Sequence, residues 1–176
     1  PSGYPRVVKR WTRGAPLDDA ATVYEGTDED MYISAWRSHT PGFERDFVHR
    51  SKAFYSDELY LAERTGTPEQ RLTKIDVPDS AEVGVRREWL LVELRDDWTV
   101  GGTTYRAGSL LAARFDDFLA GDRGFTVLFE PTATTSLAGA TWTRHHLVVN
   151  VLDDVKNRLH VLTPPDAAAP GDAGAV

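Results

Sequence analysis

Apolar and polar residues alternate in short runs along most of the chain, which is the pattern of β-strands that bury one face. The runs are residues 6–12, 21–25, 31–36, 45–55, 58–63, 71–77, 82–87, 88–94, 109–115, 125–130, 141–143, 146–152 and 158–162. One helical turn is expected at 115–121, because Phe115, Phe118 and Leu119 would share one face of it. The pattern therefore predicts an all-β protein.

Turn-forming residues separate these runs. Residues 98–105 predict a hairpin with Gly101-Gly102 at its tip, since both tip positions of such a turn need a positive φ. Residues 56–57 and 153–154, which are rich in aspartate, are expected to form the turns between their neighbouring strands.

A strand-ending residue recurs about every fifty positions. Gly26, Pro78 and Pro131 each close a strand-like segment that carries an acid, and they lie 52 and 53 positions apart. Each interval holds about four strands, which is the content of one β-propeller blade. A β-sandwich could give a similar strand density, but the regular spacing favours the propeller.

The strand count divides the chain into half a blade, two whole blades and most of another. We predict a partial β-propeller over residues 1–165, with about two complete four-stranded antiparallel blades, partial blades at each end and blade boundaries near 26, 78 and 131. Residues 166–176 contain only Asp, Ala, Pro, Gly and Val, and we expect them to form a flexible tail.

Composition and charge narrow the possible partners. The net charge of −7 argues against a nucleic-acid partner, whose phosphates would repel the chain. The cations at Arg6, Lys9, Arg10 and Arg13 are interpreted as a solvated strand face. No apolar run approaches the ~20 residues that span a bilayer, so no membrane partner is expected. The chain has no cysteine, which excludes disulfides and thiolate chemistry and weakly favours the cytoplasm.

The residue types that carry chemistry lack the required spacing. An α/β-hydrolase nucleophile needs a Gly-x-Ser-x-Gly frame, which Ser34, Ser109 and Ser136 do not have. If His145-His146 lies in a strand, the two side chains point to opposite faces and cannot share an ion. The acidic pairs at 18–19, 96–97, 116–117 and 153–154 lack the calcium-loop frame and are interpreted as turn formers. We therefore predict no catalytic residue, no cofactor and no metal in this chain.

Tryptophans recur at strand positions, and they are Trp11, Trp36, Trp89, Trp98 and Trp142. Aromatic faces can bind sugars or peptides. Blades that pack on one another also need large flat side chains, and core packing is the favoured interpretation.

Several runs in order resemble the propeller of bacterial members of the prolyl oligopeptidase family, serine peptidase family S9. They are residues 3–14, 40–47, 74–78, 108–112, 128–132 and 151–155, and the resemblance covers roughly residues 3–163. It implies a parent protein with an α/β-hydrolase domain, which holds a Ser-Asp-His triad, and an N-terminal seven-bladed propeller. That propeller caps the hydrolase and limits entry to short peptides. The implied partners are the hydrolase domain and, in the parent, short peptide substrates.

Two functions remain open at this point. The first is a non-catalytic propeller segment of a serine-type oligopeptidase, which by itself hydrolyses nothing. The second is an independent β-rich module that binds a peptide or a carbohydrate on an aromatic surface. As a fragment, the chain would expose blade faces and strand edges, so we also expect self-association.

Overall fold

The computed structural model describes residues 3–64 and 70–165, so the predicted tail at 166–176 lies outside the described residues. The strands are β1 (Val7–Arg10), β2 (Ala21–Glu25), β3 (Tyr32–Ser38), β4 (Arg45–Ala53), β5 (Ser56–Arg64), β6 (Gln70–Lys74), β7 (Glu82–Arg86), β8 (Trp89–Glu93), β9 (Trp98–Val100), β10 (Thr103–Tyr105), β11 (Leu110–Arg114), β12 (Thr126–Phe129), β13 (Thr135–Trp142), β14 (Leu147–Asp153) and β15 (Lys156–Leu162). A 3-10 turn at Leu17–Asp19 and the short helix α1 (Phe115–Leu119) complete the described elements.

The strands form antiparallel sheets that follow one another along the chain. Sheet I pairs β1 with β2, sheet II has the order β3-β4-β5-β6, sheet III has the order β7-β8-β11-β12, and sheet IV has the order β13-β14-β15. The strands β9 and β10 form a separate hairpin between β8 and β11. Two four-stranded sheets with a smaller sheet on either side confirm the predicted all-β fold with two complete four-stranded units.

Apolar side chains fill the spaces between successive sheets. Alternation along β4 sends Phe47 into the core between sheets II and III, and Val48 into the core between sheets I and II. In the same way β11 places Leu111 in the core shared with sheet II and Leu110 in the core shared with sheet IV. Sheets II and III thus each use both faces for packing, as stacked propeller blades do.

The helix and the hairpin enlarge the core between sheets II and III. Phe115 and Phe118 are buried on the inner face of α1, and the ring of Phe118 lies 5.9 Å from that of Phe125. The hairpin turns at Gly101 and Gly102 with φ of 58° and 79°. The predicted helical turn and the predicted hairpin tip are both confirmed.

Two local predictions are wrong. The turn between β4 and β5 lies at residues 54–55 and not at 56–57, which belong to β5. Tyr55 accepts a φ of 60° there, and the guanidinium of Arg95 lies 4.3 Å from the centre of its ring. The strand β13 also extends well before the predicted residues 141–143. Its early part contains small residues and a bulge at Gly139, which hide the alternation in the sequence.

Candidate functional site

A cleft of ≈ 290 Å³ opens between sheets II and III. Its polar wall begins where the core between these sheets ends, because the alternation that buries Phe47 in β4 places His49 further along the same face. The polar residues that line the cleft are Trp36, His49 and Asp57 from sheet II, Ser80 from the segment before β7, Glu82 from β7, and Arg95 from the segment after β8.

A histidine and a carboxylate face each other in the cleft. The Nε2 atom of His49 lies 3.3 Å from Oδ1 of Asp57, and Ser34 is directly opposite His49 in the register of β3 and β4. Within residues 3–64 and 70–165 no hydroxyl is hydrogen-bonded to the His49 ring. A serine becomes a nucleophile when a base accepts its proton, so these three side chains do not form a triad.

The remaining groups of the cleft suit binding. Trp36 is 47% exposed, and its indole stacks on Phe47, with ring centroids 5.5 Å apart and planes inclined by 25°. Across the cleft, Arg95 Nη2 lies 4.0 Å from Glu82 Oε2. The cleft thus has an exposed aromatic face, a cation and carboxylates. These are groups that can bind a short peptide.

A cluster of charged side chains joins sheet II to the segment that leads into sheet III. Glu58 Oε1 accepts hydrogen bonds from Lys52 Nζ at 3.1 Å and from Lys74 Nζ at 3.0 Å. Lys74 also donates to Asp79 Oδ1 at 2.9 Å, and Lys52 donates to the other oxygen of the same carboxylate. The N–H of Asp57 donates to the carbonyl of Asp79 at 2.7 Å. These contacts fix the segment 75–81, which lines the cleft.

Arg50 extends the cluster towards the loop between β2 and β3. Its Nε donates to Asp30 Oδ1 at 2.8 Å and its Nη1 to Glu58 Oε2 at 3.2 Å. Burial acts to raise the pKa of Glu58, but hydrogen bonds from Tyr60, Lys74 and Lys52 lower it by more. The pKa of Glu58 is therefore about 2. Burial and the hydrogen bond to Glu58 raise the pKa of Tyr60 to about 12. At neutral pH the cluster therefore holds three cations against three carboxylates and stabilises the fold.

This cluster is the part of the site that the sequence pattern did not indicate. The only local signal is the alternation of charges along strands β4 and β5, where Arg50 stands directly opposite Glu58. Asp30 and Asp79 come from loops on either side of sheet II, and nothing in the spacing of the chain links them to these strands.

The histidine pair is not in a strand. His145 and His146 lie in the turn between β13 and β14, with ring centroids 6.5 Å apart and planes inclined by 68°. The Nδ1 atom of His146 lies 3.1 Å from Oγ1 of Thr163. Across the described ranges, no group of three or more His, Cys, Asp or Glu side chains is placed to hold a metal ion.

The serines and the acidic pairs considered as candidate site residues lie in different parts of the fold. Ser109 is buried before β11, whereas Ser136 is exposed in β13. The acidic pairs lie in the 3-10 turn, in the turn before β9, in the first turn of α1 and at the end of β14. The Oδ1 atom of Asp97 accepts the N–H of Ala107 at 2.8 Å, which joins the segments on either side of the β9–β10 hairpin. Asp116 accepts a hydrogen bond from Arg45 at 2.8 Å, which joins α1 to sheet II.

The tryptophans divide between two roles. Trp98 and Trp142 pack against the cores of sheets III and IV, as expected. Trp11 and Trp36 are 48% and 47% exposed, so about half of each residue lies outside the core. The N-terminal cations are partly neutralised, because Arg6 pairs with Asp28 and Arg10 lies 3.5 Å from Asp46.

The stacked antiparallel sheets define the chain as part of a β-propeller. Within the described ranges, no helix is long and apolar enough to cross a membrane. No protein-family model matches the chain.

Two relatives with sequences similar to this chain are uncharacterized peptidases. The chain is 30% identical over 166 residues to the uncharacterized peptidase y4nA of Sinorhizobium fredii, a match that covers 90% of this chain and 22% of the relative. It is 26% identical over 166 residues to the uncharacterized peptidase RP174 of Rickettsia prowazekii, covering 91% and 23%. The chain therefore spans less than a quarter of the length of these two relatives.

Two solved structures share the fold of this chain. The fold matches a post-proline cleaving enzyme from Rickettsia typhi with a TM-score of 0.83 and 26% identity, covering 95% of this chain and 25% of that one. A chain from a structural study of two prolyl endopeptidases matches with a TM-score of 0.61 and 18% identity, covering 92% and 22%. The resemblance to the propeller of the prolyl oligopeptidase family is thus confirmed.

Proposed function

We propose that this chain is the propeller segment of a serine-type oligopeptidase, and that it caps an α/β-hydrolase domain and restricts access to short peptides. The observation that carries the proposal is the stack of four-stranded sheets, whose fold matches part of a post-proline cleaving enzyme. Rigid sheets that pack through both faces can exclude folded proteins from an enclosed active site.

The segments between the sheets support the proposed division into blades. Gly26 follows β2, Pro78 lies between β6 and β7, and Pro131 lies between β12 and β13. We place the blade boundaries at these three residues, because each stands where the chain leaves one sheet for the next.

Hydrolysis assays test the proposal directly. The complete reading frame that encodes this chain should yield a protein that cleaves a chromogenic Gly-Pro peptide but spares a folded protein that contains the same sequence in a surface loop. The 176-residue chain alone should cleave neither substrate. Turnover by the chain that persists through repurification would overturn its non-catalytic role, and equal cleavage of the folded protein would overturn the access role.

We also propose that the isolated chain self-associates through the outer face of sheet IV. Leu159 and Val161 in β15 are 68% and 62% exposed and point to the same face. Light scattering at tens of micromolar should show assemblies larger than a monomer, and the Leu159→Glu variant should shift them towards the monomer. Leu17→Glu is the matched control, since Leu17 is 74% exposed in the 3-10 turn. A monodisperse wild-type monomer would contradict this proposal.

The exposed face of Trp36 supports a second candidate role, a peptide- or carbohydrate-binding module that acts through the cleft between sheets II and III. A short proline-containing peptide or an oligosaccharide should then quench tryptophan fluorescence of the chain, and the Trp36→Ala variant should lose that response. The Trp11→Ala variant is the control, because Trp11 is equally exposed away from the cleft. No quenching at millimolar ligand would remove this candidate.

A further inference from the structure

Strand β15 leaves one edge of sheet IV open. It pairs with β14 along one side, and no strand of the described residues lies along its other side. All of its residues except Leu162 are exposed. Sheets II and III each have a fourth strand at the position that is open here, whereas sheet IV has three strands. An open strand edge can bind another extended segment through its backbone N–H and C=O groups.

The β14–β15 hairpin determines which backbone groups of β15 face outward. Asp153 and Lys156 are paired across the turn, and both residues between them have a positive φ. The pair that flanks such a two-residue turn exchanges hydrogen bonds, and hydrogen-bonded pairs then alternate along the ladder. The even-numbered residues of β15 therefore bond to β14. The backbone groups that point away from β14 belong to Asn157, Leu159 and Val161.

The open edge is bounded at both of its ends. The hairpin turn precedes it, and Pro164 and Pro165, which have no backbone N–H, follow it. The length of edge that a partner can use is therefore that of β15 itself. Within this length, Leu159 and Val161 are 68% and 62% exposed, so apolar side chains lie beside the outward backbone groups.

The residue order in β15 suits pairing with a second copy of the same strand. Two copies related by a twofold axis would pair antiparallel, with the same contacts made twice. If the axis passes through Leu159, the whole strand pairs. Arg158 then lies opposite His160 of the second copy, and Lys156 lies opposite Leu162. An axis one residue earlier would set Arg158 against Arg158, which is destabilising. An axis one residue later would leave Lys156 outside the paired strand.

We propose that two copies of this chain pair antiparallel through the open edges of β15, with Leu159 at the centre. Leu159 exchanges backbone hydrogen bonds with Leu159 of the second copy, and Asn157 does so with Val161. The two three-stranded sheets then form one continuous sheet, whose outer face has both Leu159 side chains at its middle. This geometry rests on the proposed self-association of the chain and specifies how it occurs.

A cysteine at the centre of the edge tests the register. The chain has no cysteine, so Leu159→Cys introduces a single thiol. In the proposed pairing the two Cα atoms of residue 159 lie about 5.5 Å apart, within the range of about 4.4–6.8 Å that a disulfide spans. Oxidation with copper phenanthroline should convert most of this variant to a disulfide-linked dimer on a non-reducing gel.

Val161→Cys is the matched control, because Val161 is exposed on the same face of the same strand. Its two copies would be offset by four residues along the strand, or about 14 Å, which is too far for a disulfide. This variant should remain largely without cross-link under the same conditions.

Two further variants separate edge pairing from packing of the outer faces. Leu159→Pro removes the outward N–H at the centre of the edge, and proline is tolerated on edge strands. It should raise the dissociation constant of the dimer at least about tenfold in sedimentation analysis. Thr141→Glu places a charge on the same outer face but in β13, on the far side of the sheet from the edge, and should leave the dimer unchanged.

The outcomes distinguish this geometry from the proposals on which it rests. A wild-type chain that sediments only as a monomer at tens of micromolar would refute the self-association and the edge pairing together. Assemblies that give no cross-link at Leu159→Cys, or an equal one at Val161→Cys, would refute the edge pairing alone. So would assemblies that survive Leu159→Pro and dissociate with Thr141→Glu. Peptide cleavage by the complete protein enters none of these measurements, so its failure would leave their results intact.

Discussion

The substitution Glu58→Gln tests whether the charged cluster stabilises sheet II. It keeps the size of the side chain but removes the negative charge that faces Lys52, Lys74 and Arg50. Glu58 has a pKa of about 2 instead of 4.5, and at about 1.4 kcal/mol per pH unit this difference corresponds to about 3 kcal/mol of stability. Because both lysines keep Asp79 and the amide still accepts hydrogen bonds, we expect a loss of about 2 kcal/mol.

The direction of the pKa shift of Glu58 determines how its contribution to stability changes with pH. The folded-state pKa of Glu58 lies below its ordinary value, so its stabilisation is complete above about pH 4.5 and is lost as the pH falls towards 2. Urea unfolding of the wild type and Glu58→Gln should therefore differ most near pH 7 and converge as the solution is acidified.

Glu29→Gln, which changes an exposed glutamate in the β2–β3 loop, is the matched control and should leave stability within about 0.5 kcal/mol of the wild type at every pH. A difference between wild type and Glu58→Gln that stays constant down to pH 3 would refute the reasoning. So would a difference at pH 7 no larger than that of the control.

Two further substitutions probe backbone strain and core packing. Val155→Gly should stabilise the chain by about 1 kcal/mol, because a β-branched residue holds a φ of 68° in the β14–β15 turn, and scanning calorimetry should show a rise in Tm of about 2–4 °C. An unchanged or lower Tm would mean that the turn carries no strain. Phe115→Ala should cost about 3–5 kcal/mol in denaturant unfolding, since Phe115 is fully buried between sheets II and III. Phe54→Ala, at a ring that is 83% exposed, should cost little, and equal losses for the two variants would contradict the placement of this core.

The repeating sheets could be predicted because their signals are local. Strand alternation and strand-ending residues such as Pro78 and Pro131 act over a few positions, so one sequence is enough to find them. The turn at residues 54–55 escaped prediction, because Tyr55 adopts a positive φ that glycine or asparagine usually supplies.

The candidate site depended on contacts between distant segments. The cleft brings His49 of β4 beside Arg95, which follows β8, and this proximity exists only after sheets II and III have packed. The sequence pattern places His146 in the strand run 146–152, because apolar residues follow it directly from Leu147, but β14 begins at Leu147. Local alternation shows that a strand is present but locates its first residue poorly.

Strand β4 contributes side chains to two cores, and this limits where such a chain can gain or lose residues over evolutionary time. Phe47 and Val48 are neighbours in sequence but belong to different cores. Inserting one residue ahead of them would exchange their faces and would disrupt two inter-sheet contacts at once. Inserting two residues would restore the alternation but displace the pairing with β3 and β5. We expect length variation in relatives to fall in exposed connections such as residues 39–44, and the strands themselves to keep a constant number of residues.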